Sequence, residues 1–507
     1  MYKVGRKDLM ADKIRNRAAL ALGLAAAAFA LAGCHAGKGA ATGAPLMDHP
    51  LTRPASLLHV GSNGRYFDNA AGEAVLLSGS HTWSNLQDNG GGRPPPRFDY
   101  GKYLDFLQTN GHDFFRLYMW EQARWTLETP DENYWFYPET AYLRTGPGNA
   151  NDGQPKFDLT KLNQAYFDRV RERVQEAQAR GIYVSVMLFN GWSVAKAKGP
   201  LHKNNPWRGH PFNPANNING VNGDPNGDDS GEETQELLVP AVTAFQEAYV
   251  RKMIDTVNDL DNVLYEISNE SSQGSQNWQY HMIDLIKSYE ATKPKQHPVG
   301  MTVTWPNGEN TDLLSSHADW ISPNGDIKDR PLATGVKVVI ADTDHLCGKC
   351  GDRAWVWKSF TRGENPIFMD GYDGAGYGVG GEGFNFNDPT WVDLRRNMGF
   401  IVQMSRRFDL HRMLPTADTH SVSSGYALAD PQSGRYVVYL PDTDSGRVTV
   451  DLGGSQGTLS TQWLDPASGR LVPGQPTSGG SRVDFSAPFD GDAVLILEPQ
   501  SKPASAS

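Results

Sequence analysis

Between about residues 74 and 374 the chain carries eight short strand-like runs, most of them followed by a helical pattern. Few architectures accommodate that rhythm. The runs cover 74–83, 114–121, 182–189, 261–270, 298–305, 319–323, 336–344 and 366–370. Several are almost continuously apolar, as in Val184, Val186, Met187, Leu188 and Phe189, which suits strands buried on both faces. Between them lie 3.6-period stripes. One helix is expected near 100–110. A long one is marked by Leu159, Leu162, Phe167, Val170 and Val174 and ends at Gly181. Further stripes are Phe245, Tyr249, Met253 and Val257, then Met282, Ile283, Leu285, Ile286 and Tyr289, and finally Met398, Ile401, Met404 and Phe408. Eight parallel strands with covering helices predict an α/β fold, a (β/α)8 TIM barrel rather than a doubly wound sheet.

From about Val422 the pattern changes. Short strands at 426–428, 436–440, 448–452, 461–463, 483–485 and 493–497 follow one another with only Asp, Gly, Pro and Ser turns between them. That spacing predicts a small C-terminal antiparallel β-sandwich. The expected organisation is a signal over 1–34, a flexible tether over 35–53, the barrel over 54–416, the sandwich over 417–498 and a disordered tail over 499–507.

The first segment reads as an address rather than as fold. Lys3, Arg6, Lys7, Lys13, Arg15 and Arg17 precede an apolar run from 18 to 32, which closes on Leu31-Ala32-Gly33-Cys34. This resembles the lipobox of bacterial lipoproteins, which implies a signal peptide, lipidation at Cys34 and anchoring to a membrane. His35 rather than Asp follows the cysteine, so the expected location is the outer membrane. The other cysteines, Cys347 and Cys350, are spaced as a small loop-tightening disulfide in an exported protein. A net charge of −11 argues against nucleic acid as a partner, while 13 Trp suit a neutral polar ligand such as a sugar.

In a barrel of this kind the chemistry sits at the C-terminal ends of the strands. Those ends carry His81 and Trp83, Arg116 with Trp120 and Glu121, Asn190 with Trp192, Asn269 and Glu270, Trp305, Asp342, Asp344 and His345, and Asp370 with Tyr372. The run 261–270 closes on Asn269-Glu270, a carboxylic acid with an amide beside it. Glycoside cleavage needs both, an acid to protonate a leaving oxygen and an amide to hold a neighbouring hydroxyl.

Asn-Glu closing the fourth strand, Arg116 on the second and a carboxylate closing the seventh resemble glycoside hydrolase clan A, the retaining (β/α)8 group that includes family five cellulases. The tail, with Tyr436-Val437-Val438-Tyr439-Leu440-Pro441 and Ala493-Val494-Leu495-Ile496-Leu497, resembles a module labelled collagen-binding that follows such barrels. The resemblance implies a retaining glycosidase acting on a β-linked glycan, without cofactor or metal. It implies that Glu270 is the acid/base, that Asn269 binds a sugar hydroxyl and that Arg116 orients the nucleophile. The remaining strand-end residues above are expected to bind substrate. Where the clan has Glu on strand seven, this chain offers only Asp342 and Asp344, expected on one face of the same strand, with Asp344 preferred as nucleophile. That departure keeps a second expectation open, a non-catalytic glycan- or matrix-binding surface lipoprotein. Glu266 is expected to be structural, and the insert at 213–233 to be a long solvated loop.

Overall fold

The computed structural model describes residues 54–500, apart from 84, 89, 92–93, 126–134, 197–204, 373–384 and 443–444, together with Ala44 and Pro45. Residues 1–34, over which a signal segment is expected, lie outside the described residues. Among the described residues no helix is long and apolar enough to cross a membrane.

Eight parallel strands form the barrel: β1 (Gly79–His81), β2 (Phe114–Leu117), β3 (Tyr183–Asn190), β4 (Val263–Asn269), β5 (Val299–Thr302), β6 (Trp320–Ser322), β7 (Val338–Asp342) and β8 (Asn365–Met369). Hydrogen-bonded neighbours run β1-β8-β7-β6-β5-β4-β3-β2, and every pairing is parallel. The ring closes beside β1 and β2, where Asp113 N donates to Ser78 O at 3.0 Å. Glycine at 79 permits that approach, since a Cβ there would lie 2.1 Å from Phe114 O.

The connecting helices are α1 (Tyr100–Thr109), α2 (Gln164–Gln178), α3 (Pro240–Val257), α4 (Gln276–Glu290), α5 (Asn310–Ser315), α6 (Arg353–Thr361) and α7 (Pro389–Ser405); none separates β6 from β7. Local chemistry explains their ends. The Asp99 carboxylate accepts Lys102 N at 3.0 Å to start α1, and Asp388 with Pro389 starts α7. Gly181, at φ +71°, turns the chain out of α2 toward β3.

Strand alternation sorts side chains into layers. On β4, Val263, Tyr265 and Ile267 pack outward beneath the helices. Leu264 joins Phe114, Tyr183, Trp320, Val338, Ile340 and Ile367 in an apolar core. One step up each strand, Arg116, Ser185, Glu266 and Asp342 replace the aliphatic residues. The barrel is therefore dry at its base and charged toward its C-terminal mouth.

Three expectations are corrected. Leu159 and Leu162 do not belong to the helical stripe. They lie on the second strand of a hairpin, Tyr142–Asn149 with Pro155–Leu162, and α2 starts only at Gln164. The insert at 213–233 is not simply solvated. Phe212 and Val221 form a satellite core with Trp207, Phe157 and Leu159, and Asp224 accepts the backbone N–H groups of Gly227, Asp228 and Asp229. Finally, β7 ends at Asp342 instead of running to Asp344.

The C-terminal region is an antiparallel β structure. Its main sheet contains Leu414–Thr416, Ala427–Asp430, Arg435–Leu440, Ala493–Pro499, Thr458–Asp465 and Arg470–Pro473, and Arg447–Asp451 pairs with Arg482–Ser486 as a second layer. One face packs on α6 and α7, with Val437, Tyr439, Val494 and Ile496 joining Trp357, Phe360, Met398 and Ile401 in a single core.

Candidate active site

At the C-terminal mouth of the barrel a cleft of about 460 Å³ is walled by Trp83, Trp120, Trp192, Trp305 and Tyr118 and carries Glu270, Asp344 and His345. Leu346, Cys347, Gly348 and Met369 complete its lining. Glu270 follows the last residue of β4 with φ +46°, a left-handed conformation that a non-glycine residue adopts at a cost of about 1–3 kcal/mol. Trp192 Nε1 donates to Glu270 Oε2 at 2.5 Å.

Beneath the cleft Arg116, fully buried, organises the charges. Its Nε and Nη2 donate to Glu266 at 2.9 and 2.5 Å, and Nη2 also donates to Asn269 Oδ1 at 2.7 Å. Its Nη1 reaches Asp342 at 2.9 Å and Asp344 at 3.0 Å. A planar fork with five donors can hold that many acceptors at once; lysine could not. Glu266 thus has the structural position expected of it.

The two aspartates separate. Asp342 is wholly buried, with Oδ1 3.0 Å from His81 Nε2 and Oδ2 taken by Arg116. Burial alone would push its carboxyl up, but the His81 and Arg116 charges overcome this and hold it below the usual carboxylate range. Asp344 sits in the first turn of the short helix Thr343–Leu346 and faces the cleft. Burial and the Asp342 charge push its carboxyl up, against Arg116. Tyr118 OH donates to Asp344 Oδ2 at 3.4 Å, and its phenol is kept protonated by burial and by Asp344.

Asn269 accepts at Oδ1 from Arg116 and from His345 Nε2, the latter at 3.2 Å. Its Nδ2, also buried, has no partner among the described residues. His345 Nδ1 lies 2.7 Å from Ser322 Oγ. These bonds assign the neutral tautomer with hydrogen on Nε2. Burial and then Arg116 lower its pKa to about 3, in agreement.

Other expected ligands occupy different ground, and their roles are corrected. His81 is wholly buried and stacks on Tyr118 at 6.2 Å while bonding Asp342, so it touches the nearby carboxylate rather than the cleft. Glu121 accepts Asn190 N at 2.9 Å and lies 3.3 Å from His210. Asn190 caps the turn that carries Trp192. Asp370 makes a bidentate pair with Arg395 at 2.7 and 2.6 Å, and Tyr372 packs among Tyr103, Phe106 and Phe386. Glu121, Asn190 and Asp370 are thus engaged with groups at or beside the strand ends, and Tyr372 belongs to an aromatic cluster. Tyr118 was not anticipated, although alternation with Arg116 puts it on the same inward face. Cys347 and Cys350 are disulfide-bonded, with Cα atoms 6.0 Å apart.

Asp342, Asp344 and His345 bring ligand atoms within 4.8 Å of one another, as a metal site would. Arg116 Nη1 already lies against both carboxylates there, and both His345 nitrogens are engaged. The set is built around a guanidinium rather than a metal ion.

Residues 127–308 match the family model described as a domain of unknown function, DUF6298. No curated protein sequence matches the chain. Solved structures share the fold at low identity. A glycoside hydrolase family 5 protein from Bacteroides vulgatus ATCC 8482 aligns with TM-score 0.54 and 13% identity over 88% of this chain and 93% of its own. A second structure, described as a glycoside hydrolase, gives 0.54 and 13% over 88% and 98%. A putative glycoside hydrolase from the same Bacteroides strain gives 0.52 and 10% over 88% and 82%. At these identities the likeness establishes the barrel with its β domain.

Proposed function

We propose that this protein is a glycoside hydrolase that cleaves a β-linked poly- or oligosaccharide outside the cytoplasm by double displacement. One observation carries the reading: Glu270 and Asp344 open into the same Trp-walled cleft, with Arg116 bonded to Asp344 beneath it. The fold shared with proteins described as glycoside hydrolases supports it.

In this mechanism a sugar ring lies on the cleft's indoles and Asn269 Nδ2 donates to the adjacent hydroxyl. Asp344 attacks the anomeric carbon while Glu270 gives its proton to the departing oxygen. Arg116 and Tyr118 favour the ionised Asp344 needed for attack. Glu270, now a carboxylate, takes a proton from water, and the resulting nucleophile releases the sugar from Asp344 with retained configuration. The basic–apolar–Leu31-Ala32-Gly33-Cys34 sequence supports export with a lipid anchor in the outer membrane.

The test is hydrolysis of a broad glycan panel by soluble protein beginning after Cys34, with the first-formed anomer read by NMR. Retained product from wild type, and none from Asp344→Asn, is expected. Binding without hydrolysis across the panel would replace this reading with that of a glycan-binding lipoprotein; an inverted product would remove the covalent step.

A further inference from the structure

We propose that Trp192 is the positioning residue for Glu270, its indole N–H fixing the carboxylate in the cleft. This deepens the proposed function and rests on Glu270 being its acid/base. The sequence suggests for Trp192 either a surface on which a sugar ring could stack or a packing role. The structure gives it a second task, since Nε1 donates to Glu270 Oε2 at 2.5 Å while the ring lies 5.9 Å from Trp305 across the cleft.

The support beneath Trp192 is built for that contact. It is carried by a single turn, Gly191–Val194, whose cap Asn190 accepts Trp192 N at 3.0 Å. Glu121 in turn accepts Asn190 N at 2.9 Å. Gly191 lets the turn lie directly on the Glu270 backbone, because a Cβ there would sit 2.3 Å from Glu270 O and 2.6 Å from Ser271 Cα. The indole and the carboxylate are thus anchored on adjoining strand ends, β3 and β4, and their separation does not depend on loop conformation.

A neutral donor bonded to a carboxylate favours its charged form. Other polar groups share that cleft and the layer beneath it: Asp344, Tyr118 and His345 line it with Glu270, and Arg116, which bonds Asp344, pairs with Glu266 below. Against that background the indole bond keeps Glu270 able to ionise after it has given up its proton, which the second half-reaction requires. Without it, protonated Glu270 persists to higher pH.

Trp192→Phe keeps the aromatic face and deletes the N–H. Two readouts decide the matter. Carboxyl ¹³C titration of Glu270, identified by its loss in Glu270→Gln, should move up by about one to two pH units, the size of one hydrogen bond made to the charged form. The basic limb of kcat/KM, which reports the protonated acid, should move up by the same amount. An unmoved or lowered Glu270 titration overturns the proposal, as does a shifted titration with an unmoved basic limb. If wild type hydrolyses nothing, the acid/base reading fails, and with it the catalytic part of this proposal. The titration still decides whether Trp192 holds Glu270.

Discussion

Asp342 accepts the backbone N–H of Asp344 at 2.9 Å, so the buried aspartate caps the turn that presents the cleft-facing one. The two carboxylates share Arg116 but face different surroundings, one enclosed by His81 and protein, the other open to the cleft. Their replacement should therefore separate stability from chemistry. Asp342→Ala strands Arg116 and His81 in the interior and should cost about 3–5 kcal/mol in urea denaturation. Asp344→Ala leaves Arg116 its bonds to Glu266, Asn269 and Asp342 and should cost clearly less, yet abolish turnover. Equal stability losses in the two variants would contradict this division.

That division also marks where sequence reading stopped. The barrel was legible because its strands are short, apolar and separated by amphipathic helices, and Asn269-Glu270 was legible because it ends one of them. Asp342 and Asp344 were indistinguishable by alternation, which assumes that the strand continues. It does not, because Asp342 turns its carboxylate onto Asp344 N and starts a helix. Leu159 and Leu162 misled for a related reason: their spacing continues the α2 stripe, and only the Gly and Asn residues over 146–153 signal a hairpin. Glu121, Asn190, Asp370 and Tyr372 close or follow barrel strands, but which of them turn toward the cleft depends on partners such as His210 and Arg395 that lie far away in sequence.

Buried neutral histidines make stability pH-dependent. His112 accepts Ser80 N at Nδ1, 3.3 Å, and donates from Nε2 to Arg395 O, 3.0 Å; burial lowers its pKa from 6.5 to about 4. Between those values the unfolded chain binds a proton that the folded ring refuses, so this group's contribution to stability falls as pH drops from 6.5 to 4. Carboxyls raised by burial, Asp113 at about 6 among them, act in the opposite sense. They are common to wild type and His112→Asn, so comparing the two isolates the histidine. The stability of the variant relative to wild type should rise by up to about 1.4 kcal/mol per pH unit on acidification through that window. Parallel stability–pH curves would refute it.

The C-terminal sheet should prove inseparable from the barrel. Ile496 packs in the same core as Trp357, Phe360 and Ile401, and Arg353 on α6 pairs with Asp492 at 2.7 Å. Ile496→Ala should destabilise by about 2–5 kcal/mol and lower the single unfolding transition of the whole unit. Two well-resolved transitions, with only one displaced, would argue against a common core.

The proposed anchoring rests on Cys34. Cys34→Ala should leave the protein unlipidated and release it from washed outer membranes, with the cleft unaffected. Metabolic labelling with a palmitate analogue and membrane fractionation read this directly. Label retained in the variant, or full membrane association after a high-salt wash, would rule the anchor out.

The roles proposed for Glu270 and Asp344 can be told apart by leaving group. An activated aryl leaving group departs without protonation, whereas an alkyl or sugar leaving group needs a proton, which the proposed mechanism draws from Glu270. Glu270→Ala should therefore lose several orders of magnitude on poor leaving groups, each tenfold being about 1.36 kcal/mol of barrier, and far less on activated ones. With those, the glycosyl-enzyme on Asp344 should accumulate because no base activates water. Azide should restore turnover, since a small anion can enter where a carboxylate no longer repels it. Asp344→Ala has no nucleophile for either substrate and should be inactive on both. Uniform, azide-insensitive losses in Glu270→Ala would show that Glu270 is not the acid/base, and activity retained in Asp344→Ala but lost in a folded Asp342→Asn would move the nucleophile to Asp342.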